Sequence, residues 1–219
     1  MKLRWLGHSC FLMTADDGTR LITDPYDVKS YGGTLTYKDL SGTKADIITV
    51  SHMTHPDHNH CDAIVGEKHI VKKAGDHTVG NIGIFGVTSF HDMAKGSERG
   101  LNIIFIITMD GIRICHLGDL GHVLTEGNAR GMGQVDVLLV PVGGAYTIDS
   151  GQADAVIAIV KPNIVVPMHY KTDRCGFPID PVGPFLAEKQ NVKQCPAEVT
   201  ITKSTLPAET ETWVLAYTR

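Results

Sequence analysis

The chain has 219 residues, 42% of them hydrophobic and 20% charged, with a formal net charge of −4. This is the composition of an ordinary globular domain long enough to bury a sizeable core, and it lacks the basic surplus that binding along a nucleic-acid backbone uses. No stretch approaches the roughly 20 consecutive apolar residues of a membrane-crossing helix, and five scattered cysteines without a CxxC pair argue against a disulfide framework or a cysteine zinc site.

The opening MKLRWLGHSCFLM has no long hydrophobic region ahead of a small-residue cleavage site, so it reads as a mature first strand of a cytoplasmic protein. KLRWL and CFLMT lead through a turn at ADDGT into RLITDP, a hairpin unit that ends on Asp24. DIITVS (46–51) and TVGNIGIFGVTSF (78–90) are further strand candidates. LNIIFIITM then turns at Asp110-Gly111 into IRICHLGD, repeating the first unit and ending on Asp119. VDVLLVPV (135–142) and NIVVPMH (163–169) read as buried strands, with Cys10 and Cys115 as small buried apolar residues of their own strands. Two helices are predicted: QADAVIAIV, capped by Asp149-Ser150 and stopped by Pro162, and PFLAEKQ. Glycine and proline punctuate the chain evenly, which predicts a single strand-rich α/β domain over 1–219.

The long apolar strands share one regularity, a metal-competent side chain at the end: TVS before His52, TSF before His91, HLG before Asp119 and VPM before His169. A fold that lines those ends along one edge collects them into one site. Any one of these histidines alone reads as a capping or hydrogen-bonding residue. Four histidines and an aspartate within SHMTHPDHNH (51–60), followed by three more such strand ends, point to metal. Imidazoles and carboxylates without thiolates suit zinc, manganese or iron(II) and do not choose among them; zinc is the expectation, with manganese and iron as alternatives.

Together WLGHSCF, TDPY, the histidine cluster, FHD, CHLGDLGH, PVGGAYTID and PMHY resemble the metallo-β-lactamase superfamily. The likeness is to its lactonase-like branch, related to the L-ascorbate-6-phosphate lactonase. The resemblance implies an αββα four-layer sandwich with two divalent metal ions at one edge of the paired sheets. The family motif is His-x-His-x-Asp-His. Its first two histidines and a later one bind one metal, the Asp-His pair and the last histidine bind the other, and a later aspartate bridges them. Carried onto matching positions, this implies His55, Asp57, His58, His91, Asp119 and His169 as ligands.

The departure is at the front, where the family's first histidine falls on Met53 and a histidine stands one residue earlier, at His52. In an extended chain i and i+2 share a face while i and i+3 do not, and Pro56 biases His55 away from helical geometry. A local bulge at Met53-Thr54 that re-aims His52 is the favoured solution. The alternatives are a first site that has lost one ligand, and a frame His58-x-His60-x-Asp62 that ends on Ala63 where a histidine is required.

The implied chemistry is hydrolysis of a small anionic substrate of the lactone or phosphoester class by metal-activated water, with Asp57 both a ligand and the group that orients or deprotonates that water. His8 is a candidate donor beside the site, His122 and Tyr146 candidate substrate contacts, and Lys171 and Arg174 candidate anchors for the anion. His60, His69 and His77 read as structural or solvated. The expected partner is a small molecule, with no nucleic acid or membrane and with room for a homo-oligomer. The competing readings are a non-catalytic metal-binding or sensing protein and a phosphodiesterase or nuclease of the same superfamily.

Overall fold

β-Branched apolar runs bounded by turn residues make this chain chiefly strand. The computed structural model describes residues 1–217. The first half contributes β1 (Lys2–Gly7), β2 (Cys10–Thr14), β3 (Arg20–Thr23), β4 (Ile47–Thr49), β5 (His69–Val71), β6 (Gly75–Val79), β7 (Ile82–Phe90), β8 (Leu101–Met109) and β9 (Ile112–His116). The second half contributes α1 (Glu126–Met132), β10 (Val137–Pro141), α2 (Ser150–Val160), β11 (Ile164–Met168), α3 (Gly183–Leu186), β12 (Val192–Cys195), β13 (Glu198–Thr200) and β14 (Glu211–Leu215). They form two sheets, ordered β13-β1-β2-β3-β4-β5 and β12-β14-β11-β10-β9-β8-β7-β6.

The sheets pack face to face, and the period-2 alternation of the strands sorts their side chains. Leu21 and Ile47 point into the core shared with Phe105, Ile107 and Val140 of the second sheet. Their neighbours Ile22 and Ile48 point the other way, into a second cluster with Tyr26, Leu35, Tyr37 and Cys175. The sandwich expectation holds, with one local difference. The outer face of the first sheet is covered by the irregular segment 25–45 and the 3₁₀ turns Ser30–Gly32 and Cys61–Ala63, whereas α1, α2 and α3 contact one another over the second sheet. β10 and β11, covered on both faces, are buried along their whole length.

Both hairpins of like design are present, β2 with β3 and β8 with β9, one in each sheet. Their turns meet at the end of the molecule away from the strand C-termini, where the Asp16 N–H donates to Asp110 Oδ2. Asp149 caps α2 by accepting the Gln152 N–H at 2.9 Å. TVGNIGIFGVTSF is two strands rather than one, because Gly80 at φ 59 turns the chain back between β6 and β7. PFLAEKQ retains only one helical turn, ending at Leu186. The short strands β5, β12 and β13 have no counterpart in the sequence reading, since they are largely exposed and carry no alternating apolar pattern.

Topology then concentrates the site. β1 and β3 both run antiparallel to β2 and so share a direction, and β4 is parallel to β3. In the second sheet β7 and β9 share a direction through β8, and β10 and β11 are parallel to β9. His8, Asp24, His52, His91, Asp119 and His169 all follow the C-terminal ends of these strands.

Candidate metal centre

Two groups of three histidines form along this edge, His52 with His55 and His91, and His8 with His58 and His169, the ligand nitrogens of each group lying within 4.8 Å of one another. Asp119 stands between them. Its Oδ2 is 3.6 Å from His91 Nε2 of one triad and 3.0 Å from His58 Nε2 of the other, and its Oδ1 is 3.6 Å from His169 Nε2. Asp57 Oδ2 lies 3.3 Å from His8 Nε2 and 3.7 Å from His58 Nε2.

Three of the six rings are aimed by a hydrogen bond from the nitrogen turned away from the site, an arrangement that fixes tautomer and orientation for a metal ligand. His52 Nδ1 donates to the Leu101 carbonyl and His91 Nδ1 to the Asp119 carbonyl, both at 2.7 Å. His58 Nδ1 donates to Asp24 Oδ2 at 3.0 Å, and Asp24 is itself fixed by the Ser51 N–H on Oδ1 and the Ser51 hydroxyl on Oδ2. His8, Asp24 and His169, each directly after its strand, have left-handed φ of 52°, 39° and 51°. Such conformations cost about 1–3 kcal/mol apiece and persist where the surroundings dictate them, as they do at functional sites.

The front of the histidine cluster solves its spacing differently from the expected bulge. β4 ends at Thr49, so residues 51–58 belong to no ladder that a bulge could interrupt. Met53 and Thr54 are exposed, with the Thr54 hydroxyl turned back to within 3.0 Å of His52 Nε2, and the extra residue is absorbed there. His52 and His55 consequently bring their rings to 4.2 Å, and the His52 ring lies 4.8 Å from that of His91.

The electrostatics suit a cation. Burial pushes His169 down to about 3, helped by the neighbouring His8; burial also lowers His55 and His91. These three are neutral imidazoles, the ligating form. Burial alone would lower His58 too, but the carboxylates of Asp119 and Asp57 outweigh it and raise that ring well above 6.5. Asp119 and Asp57 are in turn held below the usual carboxylate range: burial acts to raise them, and His58 chiefly reverses it. Buried Asp57 Oδ1, Asp119 Oδ1 and the Nδ1 atoms of His8 and His169 have no hydrogen-bond partner among the described residues. Unpartnered buried atoms of this kind are costly unless something binds them, so the donor set fits divalent metal, with Asp119 facing both triads.

Above the triads opens a cavity of about 320 Å³ lined by Tyr31, His55, Asp57, His91, Arg99, Asp119, Tyr146, His169 and Phe177. Of the residues nominated for substrate, Tyr146 lines it and His8 lies beneath it as a member of a triad. The others lie elsewhere. His122 Nε2 accepts the Phe90 N–H and its ring packs on Phe90, Lys171 Nζ donates to the Phe177 carbonyl, and Arg174 is exposed beside Asp173. His60, His69 and His77 lie outside both triads.

Tyr31, Arg99, Phe177 and the orienting Asp24 are absent from the sequence-derived site. Only Asp24 carried a signal, as the first-sheet counterpart of Asp119 in the repeated hairpin unit. Tyr31 sits in an irregular segment at φ 48°, where no periodicity announces it.

A twinned-sheet sandwich with its His/Asp donors along one edge is the architecture of the metallo-β-lactamase class. The family model described as "Beta-lactamase superfamily domain" matches residues 2–169. A UPF0173 protein of Pyrococcus furiosus is 33% identical over 190 residues, covering 78% of this chain and 84% of its own length. A UPF0173 metal-dependent hydrolase of Archaeoglobus fulgidus is 28% identical over 201 residues, with the same coverage. Among solved structures, one from Thermotoga maritima assigned to the Zn-dependent hydrolases of the metallo-β-lactamase superfamily superposes with a TM-score of 0.79 at 34% identity, over 98% of this chain and 97% of that one. The chain belongs to the metallo-β-lactamase superfamily and, within it, to the UPF0173 metal-dependent hydrolase family.

Proposed function

We propose that the chain is a hydrolase that uses two divalent metal ions, zinc first among the candidates, to cleave a lactone or phosphoester bond in a small molecule. The observation that carries this is the pair of histidine triads joined by Asp119 at the floor of a cavity of about 320 Å³. His52, His55 and His91 would hold one ion, His8, His58 and His169 the other, and Asp119 both. Bound there, the ions supply Lewis acidity toward the scissile oxygen and a water acidified to near-neutral pKa.

The chain's own groups do the remaining work. Asp57 keeps Oδ2 beside His8 Nε2, which leaves the buried Oδ1 to orient the attacking water and take its proton. Burial and the Asp57 carboxylate raise the Tyr31 hydroxyl to about 12, so it stays a donor at neutral pH and can steady an oxygen of the substrate. The cavity's size suits a compact molecule rather than a polymer. The absence of disulfides, with four of five free cysteines buried, supports a reducing compartment such as the cytoplasm.

The test is hydrolysis by the zinc- or manganese-loaded protein of aryl esters, γ- and δ-lactones, and bis(4-nitrophenyl) phosphate. Turnover of one class, reduced 100-fold or more in Asp57→Ala with metal content retained, is the expected result. No turnover of any class by fully loaded protein would contradict the proposal and favour metal binding without catalysis.

A further inference from the structure

The cavity contains one cation among its lining residues, Arg99, and it is not one of the two that the sequence nominated. Lys171 is spent on the Phe177 carbonyl, and Arg174 lies outside. No carboxylate among the described residues pairs with the Arg99 guanidinium, which lies 5.9 Å from the centre of the Tyr146 ring.

The loop that carries Arg99 is built to hold it in place. Asp92, buried directly after His91, accepts four backbone N–H groups: those of Ala94 and Gly96 on Oδ1, and those of Glu98 and Arg99 itself on Oδ2. The His91 N–H donates to the Gly100 carbonyl at 3.1 Å and closes the loop. The backbone of Arg99 is thus tied to that of a histidine of the metal centre through a single carboxylate, which FHD places beside His91.

Beside the metal centre, where the Phe177 ring lies 5.7 Å from that of His8, Tyr31 and Tyr146 each meet Phe177 edge to face, at 5.5 and 6.0 Å between ring centres. The cavity therefore has a triad-lined floor, an aromatic wall and one unpaired guanidinium. Guanidinium groups bind carboxylate and phosphate oxygens in a bidentate fork.

We infer that Arg99 is a specificity-determining residue: it selects small substrates that bear a carboxylate or phosphate group remote from the scissile bond, their body resting on Tyr31, Tyr146 and Phe177. This rests on the hydrolase reading for what happens at the floor, but not for the binding itself.

The experiment compares wild type, Arg99→Ala and Arg99→Lys, all loaded with zinc, by titration calorimetry and kinetics. Glutarate and 3-phosphopropionate carry a second anion able to reach Arg99; acetate and inorganic phosphate carry only one, for the metals. Arg99→Ala should weaken glutarate or 3-phosphopropionate at least 10-fold, Arg99→Lys less, with acetate and phosphate changed less than about 2-fold. Esters that differ only in the remote group, mono-4-nitrophenyl glutarate and 4-nitrophenyl 4-phosphonobutyrate, distinguish carboxylate from phosphate, because the scissile end is fixed at the floor and the larger loss in Arg99→Ala marks the preferred anion. In kinetics, mono-4-nitrophenyl glutarate should lose kcat/KM in Arg99→Ala chiefly through KM, while neutral 4-nitrophenyl butyrate should not. Equal effects on all probes, or none, would overturn the role of Arg99 even if esters are cleaved. Arg99-dependent binding without turnover would instead count against hydrolysis and leave the anion site standing. Since Asp92 holds Arg99 by its backbone N–H, neither substitution removes a contact the loop needs.

Discussion

At the scale of single residues, two of the three carboxylates that touch the metal histidines, Asp119 and Asp24, have different duties. Asp119 faces both triads, whereas Asp24 meets the back of His58, the Ser51 backbone and hydroxyl and, at 3.9 Å, the buried ring of His116, which belongs to neither triad. Asp24 Oδ2 accepts two donors, from His58 and Ser51, while Oδ1 takes a third from the Ser51 N–H. An asparagine has a single acceptor oxygen and must turn its amide toward one of those donors. Asp24→Asn should leave the fold intact and weaken metal binding roughly 10- to 100-fold, measured by competition with a chromogenic chelator. Unchanged affinity would mean that the His58 ring needs no external support.

At the scale of elements, the site depends on how closely the loops after β4 and β9 approach each other and the start of β8. Gly118, at φ 58°, sits where a Cβ would come within 2.5 Å of Ser51 Cβ and Asn102 Oδ1. Gly118→Ala should destabilise the protein by roughly 2–3 kcal/mol, a Tm fall of roughly 5–10 °C. Gly131→Ala, in α1 with open space around it, should instead raise stability by up to about 1 kcal/mol. Thermal unfolding of the two variants side by side checks the contrast, and similar behaviour of both would contradict it.

Elements with a strong apolar pattern were legible from the chain: the two hairpins, the buried strands β10 and β11, and the capped helix α2. What escaped was set by contacts between distant segments. Short edge strands such as β5 have no buried face to impose alternation, and Tyr31 and Arg99 reach the cavity from irregular loops. The strand-end donors from His52 to His169 were readable because topology alone brings them together. His52 itself needed the structure, since spacing rules for strands and helices say nothing about a loop that bends two residues out of the way.

At the scale of the whole molecule, the metal-free and metal-loaded proteins should answer pH in opposite ways. His58 is raised well above 6.5 against the effect of burial, by Asp119 and Asp57, so its contribution to metal-free stability is complete below pH 6.5 and is lost as pH rises through its folded value. Asp119 is lowered well below 3.8 despite burial, chiefly by His58, so its contribution is present above pH 3.8 and is lost as pH falls through its folded value. Metal-free protein should therefore lose Tm as pH rises above 6.5, and loaded protein, in which a cation stands in for the His58 proton, should not. Loading near pH 7 should release about one proton or more per chain, seen as a dependence of calorimetric heat on buffer ionisation enthalpy. The central claim is that two triads joined by Asp119 hold two ions, and metal content per chain, measured by mass spectrometry after loading and gel filtration, tests it most directly. The account predicts about two equivalents in the wild type and about one in both His52→Ala and His169→Ala; one equivalent in the wild type, unchanged by His52→Ala, would contradict it.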